Sequence, residues 1–193
     1  NRFGSTNEIG VFEMGDGGLR EVPNPSEMLL SGRPQHAPGT CVACIMEGTR
    51  PLLAEVQALV TKTTFNVPRR TANGFDYNRA VLLLAVLEKR GGLHLGTFDG
   101  YINVVGGLSL DEPAADLPVA LAVASSYRDK PVAQDLAAVG EIGLAGEVRA
   151  VSHLSLRLGE IARLGFTRCI IPRSGTEAME APNGLELIRV RNV

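Results

Sequence analysis

Asp111-Glu112-Pro113-Ala114-Ala115-Asp116, with the Ala/Val/Leu run Leu117–Ser126 behind it, sets the frame for the whole chain. The run predicts a helix, with Asp116 as its cap and Pro118 tolerated in the first turn. Downstream lies Gly140-Glu141-Ile142-Gly143-Leu144-Ala145-Gly146-Glu147-Val148-Arg149. Ala137–Ile142 and Glu147–Val151 read as strands about Gly143–Gly146. A helix is expected from Ser152, as its cap, to Gly165, as its stop. Cys169–Ile171 reads as a buried strand closed by Pro172, and Leu185–Val190 as a last strand.

Upstream, Thr40–Glu47 and Leu52–Thr61 read as long strands joined by the hairpin signal Gly48-Thr49-Arg50-Pro51. Asp76–Arg90 predicts a helix capped by Asp76 and ended by Gly91-Gly92, and Tyr101–Val105 a strand. Strands alternating with helices define an α/β domain. Residues 1–35 differ. Ile9–Met14 and Leu19–Val22 suggest two short strands about Gly15–Gly18. Asn24 is placed to cap a short helix with Pro25 in its first position and Glu27 in a capping-box place. The stretch is too short for a core of its own and reads as a tail plus linker. No repeat or low-complexity tract interrupts the pattern.

The chain has 193 residues, 45% of them hydrophobic, and a net charge of −2. That length suits one domain plus an appendage. The charge excludes a general cationic pull toward nucleic acid or acidic lipid, so any such contact needs a local basic patch. No apolar run approaches a membrane span, and no signal peptide is recognisable. Asn1 follows no Met, and the chain reads as a piece of a longer one. Cys41 and Cys44 form a CxxC without a second pair. On a strand, residues three apart face opposite ways. Free buried thiols in a reducing cytoplasm are therefore expected, with no metal site.

The pattern around residues 111–172 resembles the proteolytic domain of Lon proteases, which cleave peptides with a Ser–Lys dyad. Asp111, Pro113 and Ala115 match the family's Asp-Gly-Pro-Ser-Ala-Gly, whereas Glu112, Ala114 and Asp116 depart from it. Val139-Gly140-Glu141-Ile142 falls on its Thr-Gly-Glu-Ile/Val, and Leu164-Gly165-Phe166-(x)3-Ile170-Ile171-Pro172 continues the match. The nucleophile position then holds Ala114 and the base position Arg157. Alanine has no nucleophile, and arginine stays protonated. The resemblance implies a Lon proteolytic-domain-like (ribosomal protein S5 domain 2-like) fold without catalytic residues. Arg157 lies among Leu154, Leu158 and Ile161 at helical spacing. It is either solvated or paired with Asp116 or Glu112.

The departures, with Ala122-(x)-Ala124-Ser125-Ser126-(x)-Arg128-Asp129-Lys130-Pro131, resemble the carboxy-terminal half of the RadA/Sms family of bacterial repair and recombination proteins. Asn1-Arg2-Phe3-Gly4 looks like the end of that family's Lys-Asn-Arg-Phe-Gly signature. Gly10–Met14 and Asn24–Glu27 fit the family too. The resemblance implies that residues 1–35 end a RecA-like ATPase domain and its linker, and that 36–193 form the Lon-like domain. It further implies a hexameric, ATP-driven DNA translocase. ATP, Mg and Zn would be held by segments outside this chain, with none expected here. Single-stranded or branched DNA, a recombinase filament and a cytoplasmic setting are the implied partners and place. Candidate DNA contacts are Arg2, from the signature, and Arg69, Arg70 and Arg79 around the start of the second helix. Adjacent arginines can hold phosphates as forks or be ordinary surface residues. Two other readings stand: a peptidase using Ser109, Ser152 or Ser155, none with a matching lysine, and a pure oligomerisation module.

Overall fold

A mixed seven-stranded sheet lies at the centre of the fold. The computed structural model describes residues 12–193, so Arg2 and the expected strand start at Ile9 lie outside the described residues. In chain order the elements are β1 (Phe12–Gly15), β2 (Gly18–Glu21), α1 (Pro25–Leu30), β3 (Thr40–Glu47), β4 (Arg50–Lys62), β5 (Arg70–Asn73), α2 (Tyr77–Lys89), β6 (Phe98–Val104), α3 (Asp116–Arg128), β7 (Leu136–Ala138), β8 (Glu141–Ile142), β9 (Val148–Arg149), α4 (Leu154–Arg163), β10 (Arg168–Pro172) and β11 (Glu186–Val190). The sheet order is β11-β10-β7-β3-β4-β6-β5. β4 is antiparallel to both neighbours and every other adjacent pair is parallel, so β4 alone runs against the rest.

The hairpin β3–β4 is the longest pairing, with Thr40 opposite Gln57 and Glu47 opposite Arg50. Its side chains alternate between two cores. Cys41, Ala43 and Ile45 join Leu83, Leu84 and Leu87 of α2 and Val119, Ala120 and Val123 of α3 on one face. Val42 and Cys44 join Leu154, Leu158 and Ile161 of α4 on the other. The two cysteines thus face opposite ways, as their spacing requires. Burial pushes both thiols up to about 12, and raises Cys169 as well. All three are free thiols and are inert at neutral pH.

Several local expectations give way to tertiary contacts. The segment 137–142 is not one strand. β7 ends at Ala138, and the chain turns off the sheet so that Gly140 donates to the Ala114 carbonyl and its own carbonyl accepts from Leu117. A Cβ on Gly140 would lie 2.9 Å from the Val148 side chain, so only glycine permits that approach. β8 and β9 then pair as a separate hairpin. β5 lies on Arg70–Asn73, a stretch without a strand pattern in the sequence, and it pairs in parallel with β6 at the sheet edge. α4 is preceded by His153, at φ 54°, and not by Ser152 as cap. Asn24 and Asp116 begin or precede helices but cap neither with their side chains. Asp76 does cap α2, accepting from the Arg79 amide at 2.7 Å.

The β1–β2 hairpin is exposed throughout. α1 is not. Pro25, Ser26 and Leu29 are buried, and Ser26 has no exposed surface. Its hydroxyl donates to Glu160 of α4 at 2.9 Å and accepts from the Leu53 amide at 3.0 Å. The short helix is thereby locked between α4 and β4. Ser26→Ala removes both bonds and orphans a buried amide, at an expected cost of about 1–3 kcal/mol. Urea denaturation should show a lower midpoint at unchanged slope. A loss below about 0.5 kcal/mol, within the range of ordinary surface changes, would mean that α1 is not docked as described.

Candidate functional site

The turn before α3 delivers the motif residues to the end of β3. Glu112 is extended, and Pro113–Ala115 form a single 3-10 turn that leads straight into the helix. Ala114 is only 3% exposed and packs in the α4-side core. Its methyl group carries no chemistry. Arg157 rises from the apolar stripe of α4 and is 1% exposed. A guanidinium so deeply buried must have its donors satisfied, and here it does. It forks onto Glu112, Nη1 to Oε1 at 2.5 Å and Nη2 to Oε2 at 2.8 Å. Nη1 also donates to the Cys44 carbonyl at 2.7 Å, and Nε to that of Ser152 at 2.9 Å. Glu112 in turn accepts from the Met46 amide at 3.0 Å. Of the two partners open to Arg157, the structure selects Glu112.

Asp116 belongs to a second pair. It is wholly buried and accepts from Nε of Arg79 at 2.8 Å, from Nη2 of Arg79, and from the Ile142 amide at 3.0 Å. The carboxylate raises the Arg79 guanidinium further above its usual range, so that side stays charged. α2, α3 and β8 are joined at this point. Two salt bridges therefore flank the 3-10 turn, one from each side of the sheet.

The other arginines picked from the sequence have separate surroundings. Arg70 donates to the carbonyls of Arg69, Phe98 and Leu95 and pins the sheet edge. Arg69 places its guanidinium 3.4 Å from the ring centre of Phe65, a cation–π stack. Its amide donates to Asp99 at 2.7 Å and holds that carboxyl below the usual range. Arg79 is engaged by Asp116. Ser109 donates to Asp111 at 2.8 Å, while Ser152 and Ser155 are exposed. The lysines of the chain, Lys62, Lys89 and Lys130, all lie on the surface.

Sequence reasoning passed over one cluster. Arg149, Arg173 and Arg191 line a cleft of about 480 Å³ between β9, the turn after β10 and the end of β11. They stand far apart in the chain, so no local spacing announces them. The single hint is the alternation Arg189-Val190-Arg191 at a strand end.

Fold and site together define a mixed α/β domain around a mixed sheet, with buried ion pairs at the turn before α3. Residues 102–175 match the family model described as subunit ChlI of Mg-chelatase. Over all 193 residues the chain is 52% identical to DNA repair protein RadA of Streptococcus pyogenes serotype M6. It is also 52% identical over 193 residues to DNA repair protein RadA of Streptococcus pneumoniae and of Bacillus subtilis. The chain is a RadA-type sequence from end to end, as its motifs suggest. It spans 43%, 46% and 42% of the length of these relatives.

Replacing Arg157 by Met removes the Arg157 donors from two carbonyls and from Glu112, which keeps only the Met46 amide. Breaking such a pair costs about 3–5 kcal/mol when fully buried. Glu112 keeps 24% side-chain exposure, which places the expected loss near the lower end, at about 3 kcal/mol. Guanidinium denaturation measures it. A change under about 1 kcal/mol would show that the fork is not a structural tie.

Proposed function

We propose that this chain is a Lon-like domain without protease chemistry, serving a RadA-type DNA repair protein as a ring-assembly and DNA-contacting scaffold. The observation that carries the reading is the occupation of the dyad position by Ala114 and by the Glu112–Arg157 fork. A serine protease of this kind needs a hydroxyl and a base that can lose its proton. Here the first is a methyl group and the second a permanently charged fork already committed to a carboxylate. Residues 1–35 would be the end of a RecA-like ATPase domain with its linker, and 36–193 the Lon-like domain. α1 would then be the part of the linker that docks on it. In the complete protein, ATP, Mg and Zn would be bound by other segments, and the work would be ATP-driven translocation on single-stranded or branched DNA beside a recombinase filament in the cytoplasm. Similarity over the whole of this chain to DNA repair proteins named RadA supports that setting.

A hexameric ring needs a heterologous interface, in which different surfaces of one subunit meet on the next. The open half of the α4 side of the sheet suits one. There Leu59 is 60% exposed, and Phe65 and Val67 lie exposed just beyond the strand. Arg69, stacked on Phe65, would be the arginine of its group freest to reach a phosphate. Serine proteolysis through Ser109, Ser152 or Ser155 finds little support, since Ser109 bonds to a carboxylate and no lysine is buried beside any of them.

Two measurements test the reading. Light scattering across the micromolar range should give a closed oligomer with or without the preceding domain; a strict monomer in both cases would remove the ring. Casein and fluorogenic peptides should remain uncut by the chain and by Ala114→Ser/Arg157→Lys. A lysine beside Glu112 is held protonated, because a nearby negative charge favours the charged form, and that is the wrong state for a base. Asp116 plays no part in this, being neutralised by Arg79. Robust turnover by the double variant at neutral pH would show that an intact active site survives.

A further inference from the structure

We infer that the apolar cleft between α2, α3 and the β10–β11 end of the sheet is a docking site for an acidic peptide segment that inserts one bulky apolar side chain. Leu121, Ala124 and Arg128 recur at helical spacing along α3 and form one wall. Leu87 of α2 forms another, and Ile170 of β10 and Val190 of β11 lie beneath. Ile170 points to this side because its neighbours Cys169 and Ile171 pack in the α4-side core. The cleft holds about 230 Å³. Pockets that take a whole small molecule run to about 300–1,000 Å³, whereas a cavity of about 150 Å³ already admits benzene. The size thus suits a single phenylalanine or leucine side chain whose owner stays outside.

The mouth of the cleft is cationic. Among the described residues that line it, Arg128 alone is charged. Arg90 stands beside Gly91, which also lines it, and a Cβ on Gly146 would meet both the Arg90 Cβ, at 3.1 Å, and the Val193 side chain of the lining, at 3.3 Å. Each helix end carries two cations against one acid: Lys89 and Arg90 against Glu88 on α2, Arg128 and Lys130 against Asp129 on α3. Neither guanidinium bonds to a described side chain or carbonyl. Nor do they serve as caps, since backbone amides close both helices, Arg90 and Gly91 on the Val86 carbonyl, Asp129 and Lys130 on those of Ser126 and Ser125. An anchor side chain in such a pocket supplies affinity, and the charges around it choose the partner. Acidic residues flanking the anchor are favoured here and basic ones refused. Docking at this place involves neither the Glu112–Arg157 turn nor DNA.

The test uses the full chain, titrated into the millimolar range against the fluorescein-labelled peptide Asp-Asp-Ser-Phe-Ser-Asp-Asp and read by anisotropy. Two further peptides replace Phe by Ser, or every Asp by Lys. Ala124→Leu fills the cleft, Arg90→Glu/Arg128→Glu reverses the charge of its mouth, and Arg20→Glu/Lys62→Glu changes equal charge at exposed positions elsewhere. The parent should bind the acidic phenylalanine peptide. Loss of the phenylalanine, or Ala124→Leu, should each weaken binding at least about tenfold, as removal of an anchor does. Arg90→Glu/Arg128→Glu should lose the acidic peptide and gain the lysine one, while Arg20→Glu/Lys62→Glu binds like the parent. No binding by the parent, equal binding of the serine peptide, or an equal loss in Arg20→Glu/Lys62→Glu would overturn the site. Unchanged binding by an Ala124→Leu protein with the parent's melting temperature would do so too. If Ala124→Leu melts lower, the charge reversal decides alone, and a preference that does not pass to the lysine peptide overturns the site. An oligomer that falls apart in Ala124→Leu, with no peptide bound by the parent, would give the cleft to a neighbouring copy and overturn the peptide.

Discussion

The bidentate fork of Arg157 on Glu112 governs this structure. A guanidinium that is 1% exposed would be prohibitively costly without partners. Its partners come from three places: Glu112 from the turn before α3, the Cys44 carbonyl from β3, and the Ser152 carbonyl from the turn before α4. The position of α4 on the sheet is therefore tied to the position of the 3-10 turn. That turn is tied again to the opposite layer through Asp116 and Arg79. Each pair fixes one side of the same short segment, and the segment has little freedom left.

Under the proposed function, the same arrangement stands in the way of serine–lysine chemistry at this turn. Chemistry of the serine–lysine type needs a dry, partnerless amine close to a hydroxyl. The position instead concentrates hydrogen-bonded charge. Glu112 would stabilise any cation placed beside it, and Ala114 sits in the apolar core with 3% exposure. What the fold keeps is a rigid platform. What it leaves free lies at the periphery, in arginines that are not needed to hold the domain together.

Much of the α/β order was legible in the sequence because packing and pattern agree. Thr40–Glu47, with its continuous apolar stretch Cys41–Met46, forms β3 with the expected bounds, and Asp76 caps α2 as its spacing suggests. The family motifs were legible too, since they depend on order and spacing. The failures share a cause. Asp116 looks like a helix cap locally, yet Arg79, 37 residues away, claims its buried carboxylate. Gly140 looks like the middle of a strand, yet its lack of a side chain lets the chain leave the sheet. β5 carries no apolar run, and its strand state comes from pairing with β6 and from Arg70 anchoring the edge. The selection of Glu112 over Asp116 by Arg157, and the meeting of Arg149, Arg173 and Arg191, likewise depend on distant segments coming together.

The central claim is that the Glu112–Arg157 fork is a structural tie, and a double-mutant cycle measures it directly. Glu112→Leu, Arg157→Met and the pair together are compared in reversible denaturant unfolding. If the two side chains act as one interaction, the losses do not add. The double variant should then be more stable than the sum of the single losses implies, by at least about 1 kcal/mol, within the range found for contacting charged residues. Additive losses, within about 0.3 kcal/mol, would contradict the claim.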